Sequence, residues 1–358
     1  MNGKTASKVL VWGGRRVGDA VMSIPGMKLL RKHAPGAFVY YVTTEYAQEV
    51  IQVTGLADDI TPIILKGGIR NFFRWGRLRK EARRGAYDLV LLYAKSTTFQ
   101  EKIGTLETVV SIHAEQERHR ALCFIQTVAK GLGLDEITIV SPQVAVPEDP
   151  VARQKLLGLG LNSISGNHVV IHPGCNRIMR KAKGRIRPDK NWPPAKYVEF
   201  FTVLSKTHPE LELVLVGSNE ETKWIKQGIL DRLPPSVRPL DLSGRTSIRD
   251  VLQILRRARL LVCGDSGVMH LGTMTGTPTV SLFGPTDERR TGPFNMGERA
   301  LIIRVMTLEE ARADPDCMDK IDVDLVFDAA EKQLKTFPPA SDPASPISPT
   351  NPPLGTAG

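Results

Sequence analysis

Arg259-Leu-Leu-Val-Cys263 runs directly into Gly264-Asp265-Ser266-Gly267-Val268-Met269-His270. The first five residues read as a buried strand. Met269 to Thr275, small and apolar, reads as a helix. A strand that turns through glycine into a helix leaves backbone N–H groups aimed outward from the strand's carboxyl end, where they attract phosphate. Asp265, Ser266 and His270 add polar side chains at the same place. A second segment, Ser281-Leu-Phe-Gly-Pro285-Thr286-Asp287, follows shortly. Together they imply an α/β domain that holds a nucleotide or nucleotide-sugar in the second half of the chain.

Working outward, the alternation of strands and helices repeats on both sides. In the first half, strands are expected at Val9–Trp12, Phe38–Val42, Ile60–Leu65, Leu89–Tyr93 and Thr108–Ile112, with a helix at Ala121–Leu132. In the second half, strands are expected at Val169–His172, Leu213–Gly217, Leu260–Cys263 and Thr279–Phe283. Helices are expected at Lys196–Thr207, Glu220–Leu230, Ile248–Ala258, Val268–Thr275 and Asp322–Leu334. The pattern predicts two doubly wound domains of parallel strands, with ligands at the strands' carboxyl ends. The first domain is placed at 1–145, a proline-containing linker with one short helix (Pro150–Leu157) at 146–167, and the second domain at 168–336. The last helix is expected to close the second domain or to pack back on the first. Residues 337–358 hold seven prolines among small residues and read as a disordered tail.

With 358 residues, two domains of ordinary size are the natural expectation. No apolar run is long enough to span a membrane, and the polar start, Met1 to Lys8, lacks a secretion signal. Cys123, Cys175, Cys263 and Cys317 lie far apart without metal-like spacing and read as free thiols of a reducing compartment. The net charge of +10 is concentrated in two clusters. One comprises Arg70, Arg74, Arg77, Arg79, Lys80, Arg83 and Arg84; the other comprises Arg177, Arg180, Lys181, Lys183, Arg185, Arg187 and Lys190. The second is not interleaved with stacking aromatics, and no zinc-finger or RNP-type motif appears, so anionic membrane or phosphorylated ligands are favoured over nucleic acid.

Gly13-Gly14-Arg-Arg-Val-Gly18-Asp19 is a glycine-rich turn after the first strand, but its spacing is not the dinucleotide fingerprint. Asp19 is either a plain helix cap or a general base, since a carboxylate at a helix start is favoured in its ionised form. Trp192 before Pro193-Pro194 reads as an anchor for the next helix. Asp322-Val-Asp324 has the spacing of metal-binding sugar transferases but lies beside the last helix and reads as helix-terminal charge. No metal site is expected.

Three blocks resemble glycosyltransferase family 9, the ADP-heptose:lipopolysaccharide heptosyltransferases. They are Val17-Gly18-Asp19-Ala20 with Ile24-Pro25; His172-Pro173-Gly174 with Lys190-Asn191-Trp192-Pro193; and Gly264 to His270 with Gly276-Thr277-Pro278 and Phe283 to Asp287. The resemblance covers roughly residues 8 to 335. It implies the GT-B architecture, two Rossmann-like domains facing across a cleft, with acceptor binding in the first and nucleotide-sugar binding in the second. It implies inversion at the anomeric carbon without a metal or other cofactor, with ADP-heptose as donor and a glycolipid of the lipopolysaccharide inner core as acceptor. By motif, Asp19 matches the base, Lys190 the lysine near the diphosphate and Asp265 the acid contacting the donor sugar. Ser266, Gly267, Val268 and His270 match the phosphate-binding turn and its helix, and Thr286 and Asp287 join the donor set. The stretch between His172 and Lys190 is more basic than the family's loop, so Arg177, Arg187 and His172 are further candidate phosphate contacts. The implied place is the cytoplasm, peripheral on the inner face of the inner membrane.

Other readings remain open from the sequence. One is a transferase using another nucleotide sugar or acceptor. A second is a nicotinamide-dependent oxidoreductase built on the Gly13-Gly14 turn, with Glu45 after the second strand as its acid. A third is a non-catalytic nucleotide-sugar-binding protein.

Overall fold

The computed structural model describes residues 6–63, 87–93, 109–110, 118–162, 166–174 and 190–339, together with Phe73, Trp75, Gly76, Leu78 and Lys80. The chain divides into two compact units. One is Met1–Pro142 with Arg289–Phe294; the other is Gln143–Glu288 with Asn295–Gly358.

In the first unit, β1 (Lys8–Trp12), β2 (Phe38–Thr43), β3 (Asp59–Pro62), β4 (Leu89–Leu92) and β5 (Val109–Val110) form a parallel sheet in the order β3-β2-β1-β4-β5. The chain winds from β1 out to β3, then returns to the other side of β1, so the winding reverses between β1 and β4. Ligands of open α/β sheets gather at such a reversal. The apolar runs of β1 and β4 follow from burial on both faces of a parallel sheet. Helices α1 (Val17–His33), α2 (Glu45–Thr54) and α3 (Arg120–Leu132) cover it, with α1 and α3 packed together.

The second unit repeats the plan. Its strands are β6 (His168–His172), β7 (Glu212–Leu215), β8 (Leu240–Asp241), β9 (Leu260–Gly264), β10 (Thr279–Leu282) and β11 (Ala300–Ile303). They pair in parallel in the order β11-β10-β9-β6-β7-β8, so the winding reverses between β6 and β9. Its helices are α4 (Pro150–Gly158), α5 (Pro194–Thr207), α6 (Thr222–Gly228), α7 (Ile248–Leu255), α8 (Gly267–Thr275), α9 (Glu288–Thr291), α10 (Leu308–Ala313) and α11 (Val323–Thr336). Of these, α9 spans the point where the chain passes to the first unit. Trp192 anchors the start of α5 as expected: it is buried, packs edge-on against Tyr197, and donates its indole N–H to Ile321 O at 2.9 Å.

Several expectations are refined. The stretch 146–167 groups with the second unit, and its described residues are packed there. Val146, Ala152, Leu156 and Leu161 are buried, Asp149 caps α4, and Val144 N–H donates to Met274 O at 2.9 Å. Burial of these apolar side chains turns a proline-rich connection into part of a core. The last helix, α11, packs against α5, β9, β10 and β11 of its own unit. Of the tail at 337–358 only 337–339 are described, and of the 70–84 basic cluster only Lys80, which is exposed. Strands β8 and β11 were not anticipated.

Candidate functional site

In the second unit the site is built where β6 and β9 end side by side. Ser266 caps α8, its Oγ accepting from Met269 N–H at 3.4 Å, and the same oxygen meets His172 Nδ1 at 3.1 Å. The strand pair β6–β9 sets this up, since His172 lies opposite Cys263 in the register. Gly267 and Val268 occupy the first two helical positions, where backbone N–H groups have no intrahelical acceptor. His270 is buried one turn in. Lys190, where the described chain resumes after 174, forms a direct ion pair with Asp265, both side chains largely buried. The sequence separation of 75 residues is closed by the β6–β9 pairing.

Behind His172 stands Glu221, which the sequence reading did not single out. Its Oε2 lies 3.6 Å from His172 Nε2 and accepts from Ser218 N–H at 2.7 Å. Burial pushes its carboxyl up, but the hydrogen bonds and charge of His172 and the Ser218 backbone bond outweigh it, so the group sits below its ordinary value. A Cβ at residue 174 would fall 2.2 Å from Glu221 Oε1, so the glycine of His-Pro-Gly makes room for this carboxylate. The signal was legible as a capping box, Ser218-Asn-Glu-Glu221, after β7.

Thr286 and Asp287 lie on the turn after β10, the strand next to β9. Arg304, also missed, fixes this turn. It donates to Gly284 O at 2.6 Å and to Thr286 O, and pairs with Glu288 at 2.6 Å. Arg177 and Arg187 lie outside the described residues.

In the first unit Asp19 is the third residue of α1 rather than its cap; the capping position is Arg16, which makes no side-chain cap bond. Asp19 Oδ1 accepts from Arg120 Nη1 at 3.1 Å. The two glycines before it are steric requirements. A Cβ at Gly13 would lie 2.1 Å from the Tyr41 ring, and one at Gly14 would lie 2.0 Å from Asp19 Cβ. The turn is thus closed around the protein's own side chains. Tyr41 donates to Ser23 Oγ at 2.7 Å, and Ser23 donates on to Ala20 O at 2.7 Å, tying the turn to α1.

Arg120 opens α3, whose cap is His119. Its Nδ1 accepts from Ala121 N–H at 3.2 Å, and its Nε2 donates to Gly292 O at 3.1 Å. Both bonds together require the neutral ring protonated at Nε2. Burial pushes its pKa down to about 4. The ring stacks on Phe294 at 4.7 Å, which holds the 289–294 segment in this unit.

Among the described residues no group of three or more His, Cys, Asp or Glu is arranged to hold a metal ion. Asp322 sits at the cap of α11 and pairs with Lys196 at 3.3 Å. No described helix is long and apolar enough to cross a membrane.

Comparison with known proteins agrees with these features. Residues 172–319 match the model of glycosyltransferase family 9 (heptosyltransferase). Lipopolysaccharide heptosyltransferase 1 of Salmonella typhimurium is 21% identical over 319 residues, covering 82% of this chain and 93% of that protein. Lipooligosaccharide heptosyltransferase 2 of Haemophilus ducreyi is 24% identical, covering 84% and 89%. Among solved structures, E. coli ADP-heptose lps heptosyltransferase II superposes with a TM-score of 0.72 at 19% identity, covering 92% of this chain and 99% of that one. E. coli heptosyltransferase WaaC, solved with ADP, gives a TM-score of 0.67 at 17% identity, covering 91% and 99%. The likeness shows the fold, the GT-B class with its two Rossmann-like parallel sheets. The His172–Ser266 and Lys190–Asp265 constellation lies inside the region, 172–319, that is similar to glycosyltransferase family 9, and the chain resembles heptosyltransferases along most of its length.

Proposed function

We propose that this enzyme transfers heptose from ADP-heptose to a hydroxyl of a lipopolysaccharide inner-core glycolipid in one inverting displacement that needs no metal. The observation that carries the reading is the convergence of Lys190, Asp265, Ser266 and His172 at the one place where the second sheet reverses. A diphosphate there meets a lysine and the free N–H groups of Gly267 and Val268. Relatives of this fold have been solved with ADP and with ADP-2-deoxy-2-fluoro heptose, which supports an adenine-nucleotide donor.

In this mechanism Asp19 accepts the proton of the acceptor hydroxyl as its oxygen bonds to the anomeric carbon. The bond from that carbon to the diphosphate breaks on the opposite face. The leaving charge is met by Lys190, drawn from Asp265 toward the phosphates, and by the start of α8. Asp265 is then released to bond the donor sugar's hydroxyls. His270, Thr286 and Asp287 complete the donor site, and Arg304 holds the turn that carries the last two. Arg177, Arg187 and His172 add phosphate contacts. The enzyme works at the cytoplasmic face of the inner membrane, with the 70–84 basic cluster on anionic headgroups. Replacing those arginines with glutamine weakens binding to anionic vesicles; unchanged binding removes that part.

The test is acceptor-dependent ADP release from ADP-heptose, with a deacylated Kdo-containing lipid A core as acceptor. Release only with both substrates present supports the proposal. ADP binding without release assigns another sugar or acceptor to the same fold. No nucleotide binding contradicts the donor-site reading.

A further inference from the structure

Tyr93 directly follows β4 and stands across the reversal of the first sheet from the turn that carries Asp19. Its backbone N–H donates to Trp12 O at 3.0 Å, which pins it to the end of β1. Its ring lies 5.6 Å from that of Phe124 on α3, and the residue is 6% exposed. Among the described residues its hydroxyl has no hydrogen-bond partner. A buried hydroxyl left unpaired burdens the folded state, and phenylalanine would fill the same volume without that burden. Tyr41, the other phenol behind the turn, is fully engaged with Ser23 and Gly14. The two tyrosines therefore differ: one holds the turn together, and the other carries an unused donor.

After burial, the titratable groups that act on the Tyr93 hydroxyl are, in order, Asp19, Arg120, Tyr41 and Cys123. Burial first, and then the charge of Asp19, hold the phenol well above its ordinary value, so it remains a donor at neutral pH. In the free protein Asp19 Oδ1 is held by Arg120, whose side chain is 42% exposed. An arginine so exposed is open to competition from the anionic and hydroxyl groups of an acceptor. Once it is drawn away, the carboxylate lacks the donor that fixed its orientation.

We propose that Tyr93 is a positioning residue for Asp19, its hydroxyl donating to the carboxylate when the acceptor is bound and Arg120 is engaged elsewhere. This rests on the reading of Asp19 as the base. No proton leaves Tyr93 in the step. The proton of the acceptor hydroxyl passes to Asp19, and the phenol holds the carboxylate in line.

The experiment compares wild type, Tyr93→Phe and Asp19→Asn in acceptor-dependent ADP release across pH, with the Tm of each free protein. For Tyr93→Phe the expected Tm equals or exceeds wild type, because only an unpartnered hydroxyl is removed. Its kcat falls about tenfold, the worth of one charge-assisted hydrogen bond. The acid limb of its pH profile moves to higher pH, because the carboxylate has lost a donor that favours its ionised form. The KM for ADP-heptose stays unchanged. A wild-type kcat with a superimposable pH profile overturns the proposal. So does a lowered Tm with an unmoved acid limb, which assigns the phenol a structural role. Asp19→Asn separates the two readings: wild-type turnover there removes the base itself, whereas lost turnover with an unmoved Tyr93→Phe profile removes only Tyr93.

Discussion

The turn after β1 and the turn after β9 occupy equivalent places, each where its sheet reverses, yet their polar groups are treated differently. In the second unit the groups are paired with one another: His172 with Ser266 and Glu221, Lys190 with Asp265. Among the described residues of the first unit, Asp19 pairs with a partly exposed arginine, and the buried Tyr93 phenol has no hydrogen-bond partner. A nucleotide diphosphate is a ligand of fixed charge, and a site for it is completed by its own cations and N–H groups. A base must exchange partners during turnover, and its site is correspondingly less saturated. On the proposed function, the paired site is the one that binds the donor and the sparse one is the one that takes the proton.

Breaking the Lys190–Asp265 pair gives the largest effect on the donor side. Lys190→Met leaves Asp265 largely buried beside the proposed site of the leaving diphosphate, and kcat/KM for the donor is expected to fall by about a hundredfold or more, read in ADP-release kinetics. Next come the two glycines that make room for functional carboxylates. Gly14→Ala places a Cβ 2.0 Å from Asp19 Cβ, with Asp19 backbone atoms at 2.8 and 2.9 Å. Nothing there can swing aside, so turnover is lost while ADP affinity, measured by calorimetry, is retained. Gly174→Ala meets only the tip of Glu221, which can shift, so ADP affinity weakens modestly and kcat is kept. If the two variants change the same parameter, the division between the sites is wrong.

Ser266→Ala removes a helix cap and, among the described residues, one of the two partners of His172 together. A stability loss of about 1 kcal/mol is expected from the cap alone, seen as a lower Tm with a raised donor KM.

How much of this was legible follows from range. The strands β6 and β9 and the turn between β9 and α8 were readable because burial on both faces demands continuous apolar runs, and the polar residues stand at their ends. The pairing of Arg120 with Asp19 was not readable, because it joins residues 101 apart through the packing of α3 on α1. Arg304 was hidden by β11, a partly exposed strand at the sheet's edge that the apolar pattern did not reveal. Strand β8, of two residues, has no period to detect. The prolines of the 146–167 stretch suggest a linker with one short helix, whereas the burial of Val146, Leu156 and Leu161 depends on packing that its sequence does not reveal.

The smallest effects concern pH, and the two units carry opposite signs. His119 has its pKa lowered to about 4 by burial, below its unfolded value of 6.5. Its contribution is complete above pH 6.5 and is lost as pH falls toward 4. Burial also disfavours the charged form of His208, but its bonds to Glu331 and Glu210 outweigh this and raise its pKa. That contribution is complete below 6.5 and is lost as pH rises through the raised value. His119→Asn, which keeps a cap, flattens the acid side of a Tm-versus-pH curve; His208→Gln flattens the other side, by less than about 1 kcal/mol for a partly exposed pair. Matching curves for the two variants contradict these assignments.

The most direct test of the division between the two sites is Asp19→Ala, measured for ADP affinity by calorimetry and for acceptor-dependent ADP release from ADP-heptose. The prediction is wild-type ADP affinity with release lowered by about a hundredfold or more. Undiminished release in that variant would contradict it.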